Sequence, residues 1–311
     1  MQAVHSEHSV QKSKKHGQIA LHVFFILVSL CYILPLILMV SVSFTEENAI
    51  VSGGFSLVPQ PFSTEAYQLA FRNPKQLIDS YKVTTIVSFA GMALHVFVMS
   101  IMAYSLSRRN FALRRVFTFL AFFTMLFNGG IVPTYLLITK YLQLKNTYWV
   151  YILPSVASAW NLIVLRTNFQ QLPDALVESA KIDGASEYRI CFSIVLPLSV
   201  PAMATIGFLY FVGKWNDWTT CVYYINKPYL YSLQYLLQRI LREAEFLKQL
   251  SAEQAALEAG AQIPTESFRF AMAVLAAGPV LVIFPFFQKY FSKGLTIGAV
   301  KGYAPRRKLD L

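Results

Sequence analysis

The sequence contains little charge and little cysteine, and both shortages restrict what the protein can be. Only 14% of its 311 residues are charged, whereas soluble globular proteins carry about 25%. Hydrophobic residues make up 55%, and the mean hydropathy is +0.47. Cys31, Cys191 and Cys221 are scattered and form no C-x-x-C pair, so they indicate neither a disulfide framework nor a metal site. The composition therefore predicts a membrane protein.

The chain also lacks the motif of an ATP-binding loop. Its only Gly-Lys pair, Gly213-Lys214, is followed by Trp215 and has no upstream glycine at the spacing of G-x-x-x-x-G-K followed by Ser or Thr. The sequence shows no cluster of nucleophiles, acid–base residues or metal ligands either. We therefore expect that this chain is not an enzyme and that it binds no cofactor or metal itself.

Six apolar segments, each close to the length of about 20 residues that a bilayer requires, predict an all-α membrane protein with six transmembrane helices. They are Ile19–Phe44, Val83–Leu106, Val116–Thr139, Thr147–Leu165, Ile190–Gly213 and Phe270–Gln288. The first is too long for a signal-peptide core and lacks a cleavage site directly after it, so we interpret it as a retained helix. The remaining parts are an N-terminal tail 1–18, an external loop 45–82, a core 83–291 that holds five of the spans and the loops 172–189 and 219–269, and a C-terminal tail 292–311.

The net charge of +11 is explained by its distribution along the chain. Cytoplasmic loops of membrane proteins carry an excess of Lys and Arg. With the N-terminus in the cytoplasm, 16 of the 27 basic residues but only six of the 16 acidic residues fall on the cytoplasmic side. We therefore predict a multi-pass protein of the cytoplasmic membrane with both termini in the cytoplasm. The charge gives no reason to expect nucleic acid as a partner.

Prolines inside the predicted spans suggest that the helices are bent. Proline frees a backbone carbonyl, which is tolerated in a membrane where a neighbour or a water-filled cavity satisfies it. The prolines concerned are Pro35, Pro133, Pro154, Pro197, Pro201, Pro279 and Pro285. We expect a kinked bundle around a pathway, although proline is also common in membrane helices for structural reasons alone.

The external loop 219–269 contains apolar residues close to helical spacing and predicts an amphipathic helix. Two interpretations remain open for it. The helix is either solvated on the surface or a lever that touches a partner outside the membrane.

The loop 172–189 is strongly charged, although apolar spans lie on both sides of it. Ionisable groups cost about 2.5–3.5 kcal/mol each inside a membrane, so this loop must lie outside the hydrocarbon. Pro173 and Asp174 favour the start of a helix, and Gly184 permits the left-handed turn that ends it. A second short helix is expected from Ala185. The loop is either an ordinary polar connection or a mechanical handle that moves with the two attached spans.

The same loop resembles a known motif. The stretch "ESAKIDGASEYRICFSIVLP" is similar to the EAA loop of permease subunits of binding-protein-dependent ABC importers, whose pattern is roughly E-A-A-x-x-D-G-A followed by I-x-L-P. Ser179 replaces the first alanine, a change between small residues. The segments "MLFNGGIVPTYLL", "SAWNLIVLRTNFQQLP", "KWNDW" and "GLTIGAVKG" resemble carbohydrate importers, in particular their MalG-like and LplC-like branch. The resemblance covers the chain from about Ile19 to Gly302.

This resemblance implies a type I ABC importer permease fold with a cytoplasmic coupling helix. In that family two homologous permease subunits surround one pathway in the lipid membrane, an ATPase dimer binds ATP and Mg, and an external sugar-binding protein delivers the substrate. The implied contacts to the ATPase are Glu178, Ser179, Ala180, Asp183, Gly184 and Ala185. Glu178 would pair with a basic residue of the ATPase, and Ala180 would let the helix seat deeply. The implied tail contacts are Gly298, Lys301 and Gly302.

The resemblance also implies import of a sugar, an oligosaccharide, by alternating access, and polar groups near the spans are candidates for its pathway. Aromatic faces suit sugar rings and amides suit hydroxyls, and polar groups inside a membrane are functional candidates. These candidates are Asn128, Trp160, Asn161, Trp215, Asn216 and Asp217. Trp also forms interface belts, and Asp217 has the alternative role of orienting the outer loop. For His95, inside the second span, we favour a hydrogen bond between helices over a proton relay.

Three other functions are weighed against this one. A membrane enzyme would require a catalytic cluster, and none is evident. An ion-coupled secondary transporter would usually show buried carboxylates or inverted repeats, and the predicted spans have almost no carboxylates. An ABC permease for an amino acid, a peptide or phosphate stays open from the loop alone, and the likeness to sugar permeases argues against it.

Overall fold

The protein is helical in the part of the chain that the structure describes. The computed structural model describes residues 2–254 and 265–299, and within these ranges it contains no β-strand. An isolated antiparallel bridge pairs Thr45 with Phe62. The predicted all-α class is confirmed for these residues.

The helices have the following bounds. The first eight α-helices are α1 (Gln2–Ser43), α2 (Glu47–Gly53), α3 (Glu65–Ala70), α4 (Pro74–Ser107), α5 (Arg114–Leu126), α6 (Ile131–Leu136), α7 (Trp149–Ile152) and α8 (Ala159–Gln170). They are followed by α9 (Asp174–Ile182), α10 (Glu187–Ile190), α11 (Leu196–Leu198), α12 (Val200–Trp215), α13 (Thr219–Tyr224), α14 (Leu233–Gln254) and α15 (Glu266–Ala299). Short π-helices occupy Leu137–Tyr141 and Cys191–Val195, and 3-10 turns occupy Leu153–Ser155 and Pro228–Leu230.

Among the described residues, three helices are long and apolar enough to cross a membrane. They are Leu21–Ser43 within α1, Pro74–Ser107 and Glu266–Tyr290 within α15. Three further candidates are bent pairs: α5 with α6 and its π-helix by 113°, α7 with α8 by 52°, and the α10–α11 segment with α12 by 77°. The sequence predicts six spans, some of them bent at prolines, and the structure reaches six when each bent pair counts as one span.

The second span begins earlier than its apolar stretch. The helix α4 starts at Pro74 rather than near Val83, because two residues stabilise an earlier start. The side chain of Asn73 accepts a hydrogen bond from the backbone N–H of Gln76 at 3.3 Å, and proline in the first turn has its φ preset for a helix. Polar residues therefore extend the helix beyond its hydrophobic part.

The bends have local causes. Gly130 at the first break has φ +85°, a conformation that residues with a Cβ rarely adopt. Pro154 lies in the 3-10 turn before the second break, and Ser199 at the third break lies between two prolines. By contrast, Pro279 and Pro285 lie inside the continuous helix α15. Proline alone therefore does not break a span in this protein.

One compact unit consists of Asn73–Arg239 and Ala276–Leu311, and its described residues contain two apolar clusters. The first joins α4, α8, α9, α12 and the π-helix before α11, with its centre at Met99, Leu165, Phe169, Ile190 and Val195. The second joins α4, α7 and α13, with its centre at Val83, Val87, Tyr151, Cys221 and Leu230. The helix α4 contributes to both clusters and is the central element of this unit.

The other unit consists of Met1–Arg72 and Ile240–Leu275. Its small core packs Ala66 and Ala70 of α3 against Phe268 and Ala271 of α15. The start of α15 is capped by Glu47, a buried carboxylate that is 3% exposed. Glu47 accepts hydrogen bonds from the backbone N–H groups of Glu266 and Ser267, at 3.0 Å each, and from the hydroxyl of Ser267 at 3.0 Å.

The predicted amphipathic helix in the external loop is present as α14. Its first apolar residues, Leu233, Leu236 and Leu237, are buried, whereas Phe246 and Leu247 further along are exposed. The first turns of α14 therefore pack on the protein instead of lying free in solvent.

Candidate functional site: the charged loop and the bent spans

The charged loop folds as two short helices joined by a turn. Asp174 lies in the first turn of α9, where a carboxylate interacts favourably with the helix dipole. Its Oδ2 atom also lies 3.2 Å from Nη2 of Arg109, in the segment after α4. The sequence therefore starts the helix at the predicted place, and the ion pair fastens that start to the end of the neighbouring span.

The end of α9 is a Schellman turn centred on Gly184. Gly184 has φ +74° and donates its N–H to the carbonyl of Lys181 at 3.0 Å, while Ala185 donates to the carbonyl of Ala180 at 2.9 Å. Both bonds satisfy carbonyls that the helix end would otherwise leave without partners. The predicted helix and the glycine turn that ends it are both present.

The two faces of α9 differ in exposure. Val177 and Ala180 are buried in the cluster formed with α4 and α8, whereas Glu178, Ser179 and Ile182 are exposed. Ala180 was expected to seat the helix in the ATPase. Instead it packs against this chain's own core, so its small size lets α9 lie close to the spans.

The turn is braced by Glu187, the first residue of α10. Its Oε1 atom lies 2.6 Å from Nζ of Lys181 on α9, and its Oε2 accepts a 2.5 Å hydrogen bond from the hydroxyl of Tyr104 on α4. The guanidinium of Arg108 lies over the Tyr104 ring, 4.5 Å from its centre. Both short helices are therefore tied to α4.

Asn128 lies at the first break, between α5 and α6. Its Oδ1 atom accepts a hydrogen bond from the backbone N–H of Gly130 at 2.9 Å, which stabilises the turn. Asn128 and the residues around it are exposed. This candidate pathway residue is therefore both structural at the break and accessible.

Trp160 and Asn161 follow the second break but differ in their surroundings. The side chain of Trp160 is 52% exposed, whereas Asn161 is buried and donates from Nδ2 to Nε2 of His95 at 2.8 Å. The Nδ1 atom of His95 donates to the carbonyl of Val156 at 2.7 Å. The predicted hydrogen bond between helices is confirmed, and Asn161 is engaged within the chain.

The same break is held from a second side by Tyr210 of α12. Its ring stacks on the His95 ring with centroids 4.5 Å apart. Its hydroxyl forms a 2.9 Å hydrogen bond with Oγ of Ser155. The break between α7 and α8 is thus clamped between α4 and α12 through named polar contacts.

The last three candidates follow one another at the end of α12. Trp215 is 2% exposed, and its Nε1 donates to the carbonyl of Ala276 at 2.9 Å. Asn216 is exposed, and it donates to the carbonyl of Val212 at 2.9 Å. Trp215 is therefore a buried structural residue, whereas Asn216 is accessible.

Asp217 orients the loop that follows α12. Its carboxylate lies 3.1 Å from Nζ of Lys214 and accepts hydrogen bonds from the N–H and hydroxyl of Thr220. Burial acts to raise the pKa of Asp217, but the nearby Lys214 and the hydrogen bonds from Thr220 outweigh it and lower the pKa. A fully engaged carboxylate of this kind favours the alternative role, which is to shape the outer loop.

The expected tail contacts lie at the edge of the described part of the chain. Gly298 belongs to the end of the helix α15. Lys301 and Gly302 lie outside the described residues. Their contact with an ATPase stays a prediction.

Comparison with protein families identifies the chain. The model of the family described as "binding-protein-dependent transport system inner membrane component" matches residues 95–297. The chain belongs to this family. The matched region contains α9, its glycine turn and all three bent pairs, so this permease subunit carries both candidate sites within the family's common part.

Individual relatives match this permease over almost its whole length. The polygalacturonan/rhamnogalacturonan transport system permease protein YtcP of Bacillus subtilis is 40% identical over 90% of this chain and 96% of its own. Protein LplC of the same organism is 39% identical over 87% of this chain and 90% of its own. Similarity at this level extends well beyond the charged loop.

A solved structure has the same fold as this permease. It is a bacterial ABC transporter involved in the import of the acidic polysaccharide alginate, and the match has a TM-score of 0.74 and 26% identity. The match covers 90% of this chain and 98% of the other. The permease is therefore a multi-pass membrane protein with an ABC importer permease fold.

Some features of the permease were not foreseen from its sequence. The sequence places His95, Asn161 and Tyr210 in apolar segments but gives no sign that they meet. Nor does the stretch "TEENAI" show that Glu47, rather than Glu46, caps a helix more than 200 residues away. A polar residue in an apolar span is a usable signal, whereas the identity of its distant partner is not encoded locally.

Proposed function

We propose that this chain is the permease subunit of an ATP-driven importer that passes a sugar, an oligosaccharide, from an external binding protein to the cytoplasm by alternating access. The observation that carries this proposal is the near-full-length similarity to a relative named for polygalacturonan and rhamnogalacturonan transport. The similar fold of an alginate importer supports it. Fragments of an acidic polysaccharide are therefore the first substrates to test.

In this proposal the ATP chemistry takes place on other subunits. ATP and Mg bind to a separate ATPase dimer, and this chain couples that dimer to the membrane as a non-enzymatic subunit. A second, homologous permease completes the pathway, and six membrane crossings place both termini in the cytoplasm. The cytoplasmic excess of Lys and Arg supports this orientation.

The proposed contact with the ATPase is the outer face of α9. With 100° between successive residues, Ala175, Glu178, Ser179 and Ile182 lie opposite the buried Val177 and Ala180. The side chain of Ile182 is 86% exposed, and it adds an apolar group to this face. Glu178 forms no ion pair with the described residues, so its carboxylate is available to a basic residue of a partner.

The opposite face of α9 transmits the motion. Val177 and Ala180 pack into the cluster shared with α4 and α8, and Glu187 links the turn to Tyr104. A push on Ile182 therefore reaches spanning helices through packed atoms and charged hydrogen bonds. Asp183, Gly184 and Ala185 fix the direction of the second helix and belong to the same coupling unit, and the tail residues Gly298, Lys301 and Gly302 add a further contact to the ATPase.

The proposed pathway uses the accessible members of the candidate set. Asn128, Trp160 and Asn216 have exposed side chains in or beside bent spans, where irregular backbone is tolerated if it lines a cavity. Asn161, Trp215 and Asp217 are engaged within the chain, and they support the pathway's shape. The second permease supplies the remaining wall.

The test combines affinity purification with import. The wild-type chain, expressed with its native operon partners and purified in mild detergent, should bring a second permease and an ATPase, identified by mass spectrometry. Ile182→Asp should remain in the membrane but lose the ATPase, because an interface anchor contributes about 2 kcal/mol or more, which corresponds to about thirtyfold in affinity. Gly184→Asp should do the same by straining the turn.

The matched control is Val51→Asp, which places the same charge on an exposed apolar residue of the outer loop. It should retain the ATPase. Import of labelled oligogalacturonide into the cells should fall in both coupling variants. If the wild-type chain repeatedly purifies alone in a folded state, the importer proposal is wrong. If it purifies with an ATPase but imports amino acids or peptides instead, only the sugar assignment is wrong.

A further inference from the structure

Two cavities of opposite character lie next to each other where α4 ends and α5 begins. The first has a volume of about 550 Å³ and an apolar lining that includes Met102, Leu106, Phe117 and Ala121. The second has a volume of about 510 Å³ and a polar lining that includes Arg108 and Arg114. Both volumes lie in the range of about 300–1,000 Å³ that holds small organic ligands. A ligand that fills both must be amphiphilic.

The segment between the two helices joins the cavities. Ser105, Leu106 and Phe111 line the apolar cavity, whereas Ser107, Arg108, Arg109 and Asn110 line the polar one. A molecule that follows this segment therefore passes from hydrocarbon surroundings to arginine side chains without leaving the protein surface.

The polar cavity has an excess of unpaired positive charge. Two of its carboxylates, Asp174 and Glu187, are held in ion pairs with Arg109 and Lys181. Within the described part of the chain, Arg108 and Arg114 have no ion-pair partner, and the buried Nε of Arg108 has no hydrogen-bond acceptor. Glu178, the third carboxylate of the lining, cannot neutralise both of these cations.

The distance along α5 from Arg114 to the far end of the apolar cavity matches one leaflet of a bilayer. The lining of the apolar cavity on α5 extends to Thr124, and Arg114 is the first residue of that helix. Ten residues of α-helix rise about 15 Å, which is half of the roughly 30 Å hydrocarbon thickness. An acyl chain with its headgroup at Arg114 would therefore reach the bilayer centre at the far end of the cavity.

The helix α5 leaves this cavity open within the chain. None of its residues is buried, although its sequence is strongly apolar. Phe117, Leu120 and Ala121 line the cavity from one side, and Met99 and Met102 of α4 line it from the other. The wall is thus formed by side chains that pack well against a flexible hydrocarbon.

From these juxtaposed cavities we propose that α4 and α5 hold an anionic phospholipid, with an acyl chain in the apolar cavity and its phosphate at Arg108 and Arg114. Anionic lipids are concentrated in the cytoplasmic leaflet, and basic pockets between spanning helices on that side recognise their headgroups. The bound phosphate lies beside α9, whose Val177 and Glu178 also line the polar cavity. The proposal does not depend on which sugar is transported.

The test uses the complete importer reconstituted in nanodiscs that contain phosphatidylglycerol with a photoactivatable acyl chain. Adducts should concentrate on peptides that contain Met102, Phe117 or Ala121. Excess unlabelled phosphatidylglycerol should displace them, and phosphatidylcholine should displace them less. Ala121→Trp, which fills the cavity, should abolish this labelling, whereas Val116→Trp, at an exposed position of the same helix that does not line the cavity, should not.

Neutral substitutions of the arginines test the proposed binding of the phosphate headgroup. Each arginine near a membrane surface contributes about 1 kcal/mol toward anionic lipid, so Arg108→Gln and Arg114→Gln should each reduce the preference for phosphatidylglycerol about fivefold. Arg189→Gln, an exposed arginine that lines neither cavity, should leave the preference unchanged. Adducts spread evenly over the spans, or unchanged by Ala121→Trp, would overturn the proposal. So would crosslinks from position 121 to a helix of the second permease, because the partner would then occupy the cavity.

Discussion

At the scale of single residues, Glu47 shows how one buried carboxylate organises an outer segment. Its oxygens accept hydrogen bonds from the first residues of α15, which would otherwise begin with unsatisfied N–H groups. We expect Glu47→Gln to lower the free energy of unfolding at pH 7 by about 2 kcal/mol, because the amide places a donor against donors. Thermal unfolding of the purified chain in detergent measures this change.

The pH dependence of Glu47 provides the control. Burial acts to raise its pKa, but hydrogen bonds from Glu266, Ser267 and Thr265 prevail and lower the pKa below its ordinary value of 4.5. Its stabilisation is therefore present above that value and is lost as the pH falls through the lower folded-state pKa. The difference in unfolding free energy between wild type and Glu47→Gln should narrow as the pH falls from 4.5 through the lower folded-state pKa, where the folded wild type also loses the charge. Glu65→Gln, at an exposed site, should change little, and an equal effect of both variants would contradict the capping role.

His95 illustrates a residue whose chemistry is visible in sequence but whose role is set by distant neighbours. His95→Phe keeps the ring stack on Tyr210 but leaves the carbonyl of Val156 and the amide of Asn161 without partners. Each unsatisfied buried group costs about 1–3 kcal/mol, so we expect a clear loss of stability in SDS-induced unfolding.

A double-mutant cycle separates this contact from general packing. His95→Phe leaves the Asn161 amide without its acceptor, and Asn161→Leu removes that amide. The loss of unfolding free energy in the double variant should therefore be smaller than the sum of the two single losses, by about 1 kcal/mol. His22→Phe is the control, since His22 is an exposed histidine of the first span. Strict additivity would mean that the hydrogen bond between His95 and Asn161 contributes nothing.

At the scale of helices, the sequence predicts the positions of the apolar segments but not their continuity. Val116–Thr139, Thr147–Leu165 and Ile190–Gly213 were all predicted as single spans, and each contains a bend of more than 50°. Hydropathy averages over a window and is insensitive to one residue with unusual backbone geometry. The continuous helix α15, which contains two prolines, shows that breaker residues alone do not decide the outcome either.

In the candidate sites, too, the sequence predicts what depends on neighbouring residues and does not predict what depends on distant packing. The charged helix and the glycine turn could be predicted, because Pro173, Asp174 and Gly184 act through their own backbone neighbours. The inward direction of Ala180 and the burial of Trp215 could not, because both depend on packing against segments far away in the chain. Local signals therefore predict an element, and tertiary contacts decide which of its residues remain free to act.

Gly130 allows a sharp test of the first break. Its φ of +85° with ψ near 180° is a backbone conformation almost restricted to glycine, and forcing another residue into it costs about 1–3 kcal/mol. We expect Gly130→Ala to reduce import and stability by disturbing the turn between α5 and α6. Oligosaccharide uptake and thermal unfolding measure the two effects.

The neighbouring glycine is a matched control. An added Cβ at Gly129 would meet only Pro133 at 3.9 Å, an ordinary contact, and its φ is not positive. Gly129→Ala should therefore behave like the wild type. If both alanine variants are tolerated equally, the break does not depend on the backbone conformation of Gly130.

At the scale of the whole molecule, the number of membrane crossings decides on which side α9 and the two termini lie. Three helices are long enough alone, and each bent pair either crosses or re-enters on the same side. The bend of 113° between α5 and α6 is the sharpest of the three and makes this pair the most informative. Its flanks are Asn110 before α5 and Lys145 after the π-helix, and both are exposed.

We expect the flanks of this pair to lie on opposite sides of the membrane. In a background without native cysteines, Lys145→Cys should react with an impermeant maleimide added outside intact cells, as should Thr64→Cys in the outer loop. Asn110→Cys should react only after the cells are permeabilised, because Arg108, Arg109, Arg114 and Arg115 around it favour the cytoplasm. Labelling of positions 110 and 145 from the same side would make the pair re-entrant. The count of crossings would then become odd and the two termini would lie on opposite sides. If the shared side is the cytoplasm, α9 and the C-terminal end of α15 would both lie outside, away from any cytoplasmic ATPase.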